Sequence, residues 1–360
     1  MSAAESPEDP MDPSGVDDPH RTMEEVLLGG GRVWTRRDIA ERSGVGPGRT
    51  AQIWRALGFP VADDDARVFT DADIEALRAG ERLIEAGLIT EESEALMARA
   101  LGHHLSRLAE WQVHTLWAWM SQDPSALSGG RELVDHAAAL LPEIELLQRH
   151  VWRRHLAASA GRLLAETKED APGGRTPGQD EAAPHREGAD VRDRAVGFTD
   201  MVGYTRMTRG LGSAELIEVL DRFESLTGDV VAEGRGRVVK TIGDEVLFVC
   251  ESARTAADIA LELTARTAAE NGLPQVRTGL AHGAVLSRFG DVYGAAVNIA
   301  ARLTSVARPG TVLVDTALAG ELADAAAYEL KVLRPVSVRG YNRLRPVLLR
   351  ATRPAGTADP

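Results

Sequence analysis

The sequence is poor in several kinds of residue, and each shortage excludes a class of protein. One cysteine, Cys250, among 360 residues excludes an internal disulfide framework and a cysteine-based zinc site, and it fits a reducing compartment. No apolar run approaches the roughly 18 residues that a membrane span needs. Met1–His20 has neither a lysine or arginine nor an apolar core, so we expect no secretory signal there. These shortages favour a cytoplasmic protein that has no membrane partner.

Positive charge is also in short supply. The chain has 41 basic and 54 acidic residues, which give a formal net charge of −13. Such a chain is a poor general binder of nucleic acids or anionic membranes. The acidic excess is uneven, because residues 191–353 hold 21 basic and 19 acidic side chains. The C-terminal part therefore carries no strong field against an anionic substrate.

Composition divides the chain into five segments. Residues 1–20 form an acidic tail that buries too little apolar surface to offset its ordering entropy, so we expect it to be disordered. Residues 21–165 have helical periodicity and little strand-like alternation, which predicts an all-helical domain. A linker rich in proline and glycine follows over residues 166–193. Strands and helices alternate over residues 194–353, and residues 354–360 form a short tail.

The pattern of the C-terminal domain predicts an α+β fold. Val238–Ile242 and Glu245–Val249 are two strands joined by a turn at Gly243. The order β-α-β-β-α-β is typical of a ferredoxin-like antiparallel sheet with helices on one face. The other predicted elements are strands over Gln275–Ala281 and Thr311–Asp315, and helices over Ser213–Ala232, Ala253–Ala268 and Val297–Val306.

Aspartate, asparagine and arginine side chains lie on or at the ends of these elements. Asp200 follows an apolar run at a strand end, and Asp244 lies at the turn between two strands. Carboxylates at strand ends can hold divalent cations, and a strand that runs into a helix presents backbone N–H groups to phosphate. Further along, Asp291 precedes Asn298 and Arg302, which share one helix face because they are four residues apart. Taken singly, each feature is also explained by ordinary turn or helix-surface chemistry.

Taken together, these segments resemble the catalytic domain of the class III nucleotidyl cyclases. The resemblance covers residues 194–350, in family order and spacing. It implies a ferredoxin-like βαββαβ catalytic domain preceded by an all-α regulatory domain, with adenylyl cyclase activity. The motifs that carry it are Phe198–Thr205, Lys240–Asp244, Asp291–Gly294 and Val297–Arg302.

The resemblance also implies a role for each site residue. Metal ions are expected as two Mg²⁺ or Mn²⁺ per active site, because hard oxygen ligands suit these cations. The residues implied are Asp200 and Asp244 for the metal ions, the backbone of Met201, Val202, Gly203, Tyr204 and Thr205 for the triphosphate, Lys240 and Asp291 for the purine, Asn298 and Arg302 for the ribose and the transition state, and Arg339 for the terminal phosphates.

The purine pair indicates which nucleotide is used. Lys240 supplies only hydrogen-bond donors and ionised Asp291 only acceptors, which matches the N1 acceptor and amino donor of adenine. Guanylyl members of the family generally have Glu and Cys at these positions, so the resemblance implies ATP as substrate. In the family, the metal aspartates and the purine residues of one site come from different chains. The resemblance therefore implies a head-to-tail homodimer with two composite sites.

The helical N-terminal domain is interpreted as regulatory. Six of the nine histidines lie in it, and His150 and His155 fall on a helix predicted from about Leu140 to Leu164, directly before the linker. The unperturbed pKa of histidine lies near physiological pH. The domain order resembles bacterial class III cyclases whose helical domain inhibits the catalytic pair at neutral or alkaline pH and releases it in acid. We therefore hypothesise autoinhibition that is controlled by pH.

The alternative function is a DNA-binding regulator that uses a cyclase-fold domain as a nucleotide sensor. Arg36–Val45 and Ile53–Pro60 have the rhythm of a helix-turn-helix, and residues 31–57 carry six arginines against two acids. The intact set of site residues argues against a degenerate sensor, so we do not expect nucleic acid to be the partner. A diguanylate cyclase fits poorly, because Ile242–Glu245 lacks the paired glycines of that family.

Overall fold

The computed structural model describes residues 18–60, 63–120, 130–169 and 190–352. The chain divides into two compact units between Glu181 and Ala182. Most of the predicted tails and of the predicted linker lie outside the described residues, so the segment boundaries stay predictions.

The described part of the N-terminal unit is helical, as predicted. Its third and fourth helices enclose a small apolar core that includes Ile53 and Ile74. The fourth helix begins with a capping box, in which the Thr70 hydroxyl accepts from the amide of Asp73 and the Asp73 carboxylate accepts from the amide of Thr70. The helices are α1 (Pro19–Leu28), α2 (Arg36–Ser43), α3 (Pro47–Ala56), α4 (Asp71–Glu85), α5 (Glu91–Met120) and α6 (Gly130–Glu169).

The arginines of the helix-turn-helix segment are engaged within this unit. Arg49 on α3, the helix that would read DNA, lies 2.7 Å from Glu81 and 2.8 Å from Glu94. The guanidinium of Arg42 stacks 3.5 Å from the ring centroid of Trp34. The arginines of residues 31–57, which would have to neutralise DNA phosphates, are thus largely paired with partners inside this unit. This pairing weakens the case for DNA binding.

The C-terminal unit contains the elements that position the predicted site. Its helices are α7 (Tyr204–Met207), α8 (Ser213–Glu233), α9 (Ala253–Ala269), α10 (Ala295–Val306) and α11 (Thr316–Glu321). Its strands are β1 (Asp190–Met201), β2 (Arg237–Ile242), β3 (Glu245–Cys250), β4 (Val276–Arg288), β5 (Asp291–Tyr293), β6 (Val312–Val314), β7 (Tyr328–Val332), β8 (Val336–Val338), β9 (Tyr341–Leu344) and β10 (Val347–Ala351).

Eight of these strands form one sheet. Its order is β2-β3-β1-β4-β6-β10-β7, with β5 paired to β4, while β8 and β9 form a separate hairpin. The sequence of elements β1, α8, β2, β3, α9 and β4 confirms the predicted ferredoxin-like order. The prediction of an antiparallel sheet with helices on one face was wrong in two details, because β4 pairs in parallel with β6 and α10 packs on the face opposite to α8 and α9. Strand β4 is longer than predicted because its second half pairs with the start of β1, from Asp193 opposite Ala284 to Asp190 opposite Ser287. The charged residues at 190, 192 and 193 conceal the strand pattern at the start of β1, so the pairing that extends β4 could not be predicted from the sequence.

Helix α10 packs directly against the sheet. A Cβ added to Gly279 on β4 would lie 2.3 Å from the amide nitrogen of Thr304 and 2.4 Å from the carbonyl oxygen of Ala300. The Thr304 hydroxyl also donates to the carbonyl of Phe198 on β1, at 3.2 Å. Backbone-to-backbone contact of this kind fixes the height and register of α10 above β1 and β4.

We expect Gly279→Ala to destabilise the catalytic domain by about 3 kcal/mol, because α10 must move to admit the methyl group. The matched control is Gly228→Ala on α8, where an added Cβ meets nothing within 4 Å. That substitution should be neutral or stabilising by up to about 1 kcal/mol. Differential scanning calorimetry of the two purified variants measures the difference, and equal melting temperatures would contradict the packing argument.

Candidate active site

The end of β1 and the β2–β3 turn bring the two predicted metal ligands together. Asp200 lies near the end of β1, opposite Glu245 on β3 and Arg277 on β4. Gly243, with φ of 63°, makes the turn before Asp244, in a region that disfavours side chains. The carbonyl of Asp244 accepts a hydrogen bond from the amide of the residue after Asp200, at 3.1 Å. The hairpin turn is thereby fixed beside the end of β1.

Negative charge is concentrated at this corner of the sheet. Burial and the neighbouring Asp200 carboxylate raise the pKa of Asp244 to about 6. Burial, followed by the charges of Asp200 and Asp244, raises the pKa of Glu245 to about 7. Arg277 offsets part of this charge, because its Nε and Nη2 lie 2.8 and 2.6 Å from Oδ2 of Asp200. Three carboxyl groups thus face one guanidinium, an arrangement that favours a bound cation.

The donor set fits a hard divalent cation. Mg²⁺ is commonly held by one or two carboxylates together with substrate phosphates, which matches Asp200 and Asp244. Within the described residues, no group of three or more His, Cys, Asp or Glu side chains is arranged to hold a metal ion. The pair therefore suits a site that water and substrate oxygens complete.

Lys240 and Asp291, the predicted purine pair, contact each other directly. Nζ of Lys240 on β2 donates to Oδ2 of Asp291 at the start of β5. Oδ1 of Asp291 accepts from the amide of Val292 at 2.8 Å. Burial acts to raise the pKa of Asp291, but the hydrogen bonds from Lys240 and Val292 outweigh it and lower the pKa. Both side chains are partly exposed, so a donor and an acceptor stand side by side within reach of a ligand.

Asn298 and Arg302 lie on one face of α10, four residues apart. Asn298 is exposed and Arg302 is partly exposed. Among the residues that the structure describes, neither side chain has a hydrogen-bond or ion-pair partner. Two polar side chains on a rigidly packed helix are therefore available for a ligand.

The five backbone amides predicted to bind the triphosphate fall into two groups. The amide of Met201 donates to the carbonyl of Asp244, and that of Val202 donates to the carbonyl of Gln275 at 2.8 Å. Gly203, with φ of 86°, turns the chain into the short helix α7. The amides of residues 203–205 (Gly203, Tyr204 and Thr205) have no acceptor in the described part of the chain. The cradle that the sequence predicts over five residues therefore reduces to these three.

The remaining predicted residues lie elsewhere. Arg339 is exposed at the β8–β9 turn, on a hairpin whose Val336 and Val338 join the same apolar cluster as Leu303 of α10. His150 and His155 are both exposed on α6 of the N-terminal unit. Within the described residues of the C-terminal unit, the Arg339 side chain makes no hydrogen bond or ion pair with the metal or purine pairs.

Comparison with known proteins decides the family. Residues 189–351 match the family model of the adenylate and guanylate cyclase catalytic domain, and residues 19–150 match that of the adenylate cyclase regulatory domain. An adenylate cyclase of Glutamicibacter nicotianae is 37% identical over 347 residues, which are 96% of this chain and 85% of the relative. The chain belongs to the class III adenylate cyclases.

Two further relatives match most of this cyclase. An adenylate cyclase of Streptomyces coelicolor is 41% identical over 83% of this chain and 74% of its own length. A pH-sensitive adenylate cyclase of Mycobacterium tuberculosis is 33% identical over 82% of this chain and 71% of its own length. Both the family and the domain order that the sequence predicts are confirmed.

In the described part of the cyclase, no helix is both long and apolar enough to cross a membrane.

Glu245 and Arg277 lie at the candidate site of the cyclase, but the sequence motifs did not indicate them. Each is the single charged residue of a predicted strand that is otherwise largely apolar, and that was the available signal. Their importance comes from the register, which places Glu245, Asp200 and Arg277 in one row across three strands. Periodicity within a single strand cannot give that row.

We expect Glu245→Gln to stabilise the catalytic domain at pH 8 by an amount on the order of 2 kcal/mol, and to change little at pH 5. The folded domain raises the pKa of Glu245 from 4.5 to about 7, so the folded state binds a proton more tightly than the unfolded state. The glutamate therefore costs stability as the pH rises from about 4.5 through 7, and glutamine removes that cost.

The measurement is the melting temperature of the purified cyclase in EDTA between pH 5 and pH 8. Glu329→Gln, at an exposed position of β7, is the matched control and should keep the wild-type pH dependence. A Glu245→Gln profile parallel to that of the wild type would show that Glu245 is not the group responsible.

Proposed function

We propose that this cyclase converts ATP to 3′,5′-cyclic AMP and pyrophosphate at composite sites of a homodimer. The observation that carries the proposal is the pairing of site residues. Asp200 and Asp244 meet at the strand ends, where they suit a metal-bound triphosphate, and Lys240 contacts Asp291, where the pair suits adenine. The relatives named adenylate cyclase support the same activity.

The reaction is attack of the ribose 3′-oxygen on the α-phosphorus, with cleavage of the bond to the pyrophosphate oxygen. It needs little covalent help from the protein, so positioning and charge stabilisation dominate. Asp200 and Asp244 would hold two Mg²⁺ or Mn²⁺, which when bound lower the pKa of the 3′-hydroxyl and neutralise phosphate charge. Asn298 would orient the ribose, and the planar guanidinium of Arg302 would donate to the phosphoryl oxygens.

The triphosphate has its own partners in this proposal. The amides of residues 203–205 would donate hydrogen bonds to its oxygens, in the manner of other strand-to-helix turns that bind phosphate. Arg339, exposed on the β8–β9 hairpin, would add a charge for the terminal phosphates. These contacts hold the leaving group while α10 holds the ribose.

The purine pair provides the selection between bases. Lys240 would donate to N1 of adenine, and Asp291 would accept from the amino group. Guanine presents an acceptor at O6 and a donor at N1, so its hydrogen-bonding pattern on this edge is reversed. A mismatch that leaves such groups unpaired discriminates by several kcal/mol, roughly 10³-fold or more in kcat/KM. GTP should therefore be a poor substrate.

The homodimer follows from the two sets of residues in one chain. Lys240 and Asp244 flank the same turn, yet the proposal gives them to the purine and to the metal ions respectively. The two sets of one chain would serve different active sites, each completed by a second copy in head-to-tail arrangement. A monomer would then be inactive.

We also propose that the N-terminal domain controls activity in response to pH. The match to an adenylate cyclase regulatory domain and the relative named pH-sensitive support this role. His150 and His155 are exposed on α6 and would be protonated on acidification.

We expect the purified protein to form cyclic AMP from ATP with Mg²⁺ or Mn²⁺ and little cyclic GMP from GTP. Asp200→Ala and Lys240→Ala should each lower activity by at least ~10²-fold, because each removes one half of both sites. Mixing the two inactive variants should restore up to about a quarter of the wild-type activity. One composite site of each mixed dimer then keeps both intact halves. Chromatography of the products measures these outcomes.

Failure of the mixed variants to regain activity, with each variant folded and dimeric, would contradict the composite site. Glu329→Ala mixed with Lys240→Ala is the matched control, since Glu329 is exposed on β7. In that mixture one of the two chains keeps both sets of site residues. Its activity is therefore the reference for an inactive chain that is diluted by an active one.

We expect a fragment of residues 190–360 to lack, between pH 8 and pH 5.5, the pH dependence that the N-terminal domain gives to the whole chain. The activity of the whole chain should rise, relative to that of the fragment, as the pH falls, because acid relieves inhibition by the N-terminal domain. Initial rates at saturating Mn²⁺ compare the two, with size-exclusion chromatography to establish that the fragment dimerises. Identical pH profiles would overturn the regulatory proposal.

A further inference from the structure

Strand β2 holds the hairpin of β4 and β5 at two adjacent points. Nζ of Lys240 donates to the Asp291 carboxylate, and Nη1 of Arg237 donates to the carbonyl oxygen of Gly290 at 3.2 Å. Gly290 directly precedes Asp291 in the chain. One strand therefore contacts both the side chain of Asp291 and the backbone beside it.

The two contacts depend on an irregularity in β2. Arg237 and Lys240 are three residues apart, so in a regular strand their side chains would point to opposite faces of the sheet. The pairing of β2 with β3 shifts between Val238 and Lys240, which leaves Val239 as an extra residue. A β-bulge of this kind re-aims the side chains that flank it, and bulges are common beside active sites.

The strand register shows the result of the bulge. Arg237 lies opposite Val249 of β3, and Lys240 lies opposite Leu247. Opposite residues of an antiparallel pair share a face of the sheet. Val249 and Leu247 belong to one apolar cluster with Val292 of β5. Both cations therefore lie on the face of the sheet to which β5 contributes.

The turn that Arg237 contacts has a strained backbone. Arg288 pairs with Asp291, so Phe289 and Gly290 form a two-residue turn, with φ of 52° and 79°. Hairpin turns of type I′ need positive φ at both central residues, which suits glycine but not a bulky side chain. Such a backbone persists only where its surroundings fix it. Arg237 supplies one such contact, and the Arg288 guanidinium, 4.8 Å from the Phe289 ring centroid, supplies another.

The Gly290 carbonyl group determines where Asp291 lies. A peptide group is planar, so the carbonyl oxygen of Gly290 and the Cα of Asp291 are parts of one rigid unit. The bond from Arg237 therefore fixes the point from which the Asp291 carboxylate extends. Lys240 alone could not fix this point, because its flexible four-carbon side chain can follow the carboxylate to a new position.

We propose that Arg237 is a positioning residue for base selection, which holds the Gly290–Asp291 peptide so that the Asp291 carboxylate meets the amino group of adenine. The inference rests on the proposed roles of Lys240 and Asp291 in binding the purine. Arg237 acts through Asp291 and not by touching the nucleotide.

The test compares ATP with purine riboside 5′-triphosphate, which is ATP without its 6-amino group. The analogue keeps N1 for Lys240 but offers no donor to Asp291. Steady-state rates of the full-length protein with Mn²⁺ give kcat and KM for each nucleotide. Arg237→Gln should lower kcat/KM for ATP by ~10-fold, mainly through KM, because the acceptor for the amino group is displaced. It should leave kcat/KM for the analogue unchanged.

Two further variants serve as controls. Arg222→Gln is the matched one, because Nη1 of Arg222 on α8 also donates to a backbone carbonyl, that of Asn271, at 3.0 Å. It should keep the wild-type values for both nucleotides. Arg237→Lys retains a charged donor near the Gly290 carbonyl, so its kcat/KM for ATP should lie between those of Arg237→Gln and the wild type.

The possible outcomes separate this inference from the proposed function. An equal fall for ATP and the analogue in Arg237→Gln would overturn the inference, since general damage to the fold lowers both values. Unchanged kcat/KM for ATP would overturn it as well. Asp291→Ala tests the purine assignment itself, and a wild-type preference for ATP over the analogue in that variant would overturn both. If Arg237→Gln does not fold, Arg237→Lys decides, and wild-type values in that variant would count against the positioning role.

Discussion

Repulsion among carboxylates at one corner of the sheet is the constraint on which the catalytic domain depends. Asp200, Asp244 and Glu245 are brought together by the β1–β3 register and the β2–β3 turn, and burial makes each charge more costly. Arg277 compensates for part of that charge, and a divalent cation would compensate for the rest. The fold thus accepts a local loss of stability at the corner that is proposed to bind metal-bound triphosphate, which is a common relation between stability and function.

The same corner bears on the proposed regulation by pH. Without a bound cation, burial and mutual repulsion raise the pKa values of Asp244 and Glu245 to about 6 and 7, so protonation in acid would remove negative charge from the corner. Such a loss of charge would not strengthen a cation site. A cyclase whose activity increases in acid must therefore owe that increase to groups outside the carboxylate corner. The histidines of the helical domain are the proposed groups.

Much of this architecture could be predicted from the sequence, for physical reasons that also set the limit. Apolar periodicity predicted α8, α9 and the β2–β3 hairpin to within a few residues, and the family motifs indicated the polar site residues. The row of Glu245, Asp200 and Arg277 could not be predicted, because it arises from pairing between strands that are distant in the chain. The engagement of the Met201 and Val202 amides was hidden for the same reason, since their acceptors lie on other segments.

The ion pair between Lys240 and Asp291 has a consequence for how such enzymes diversify. The two side chains neutralise each other at the protein surface, and neither belongs to the apolar core. Under the proposed function, replacing them would change the complementarity to a nucleobase while leaving the apolar interior alone. Base preference would then be evolvable almost independently of foldability, so a lineage could exchange one second messenger for another through two substitutions outside the core.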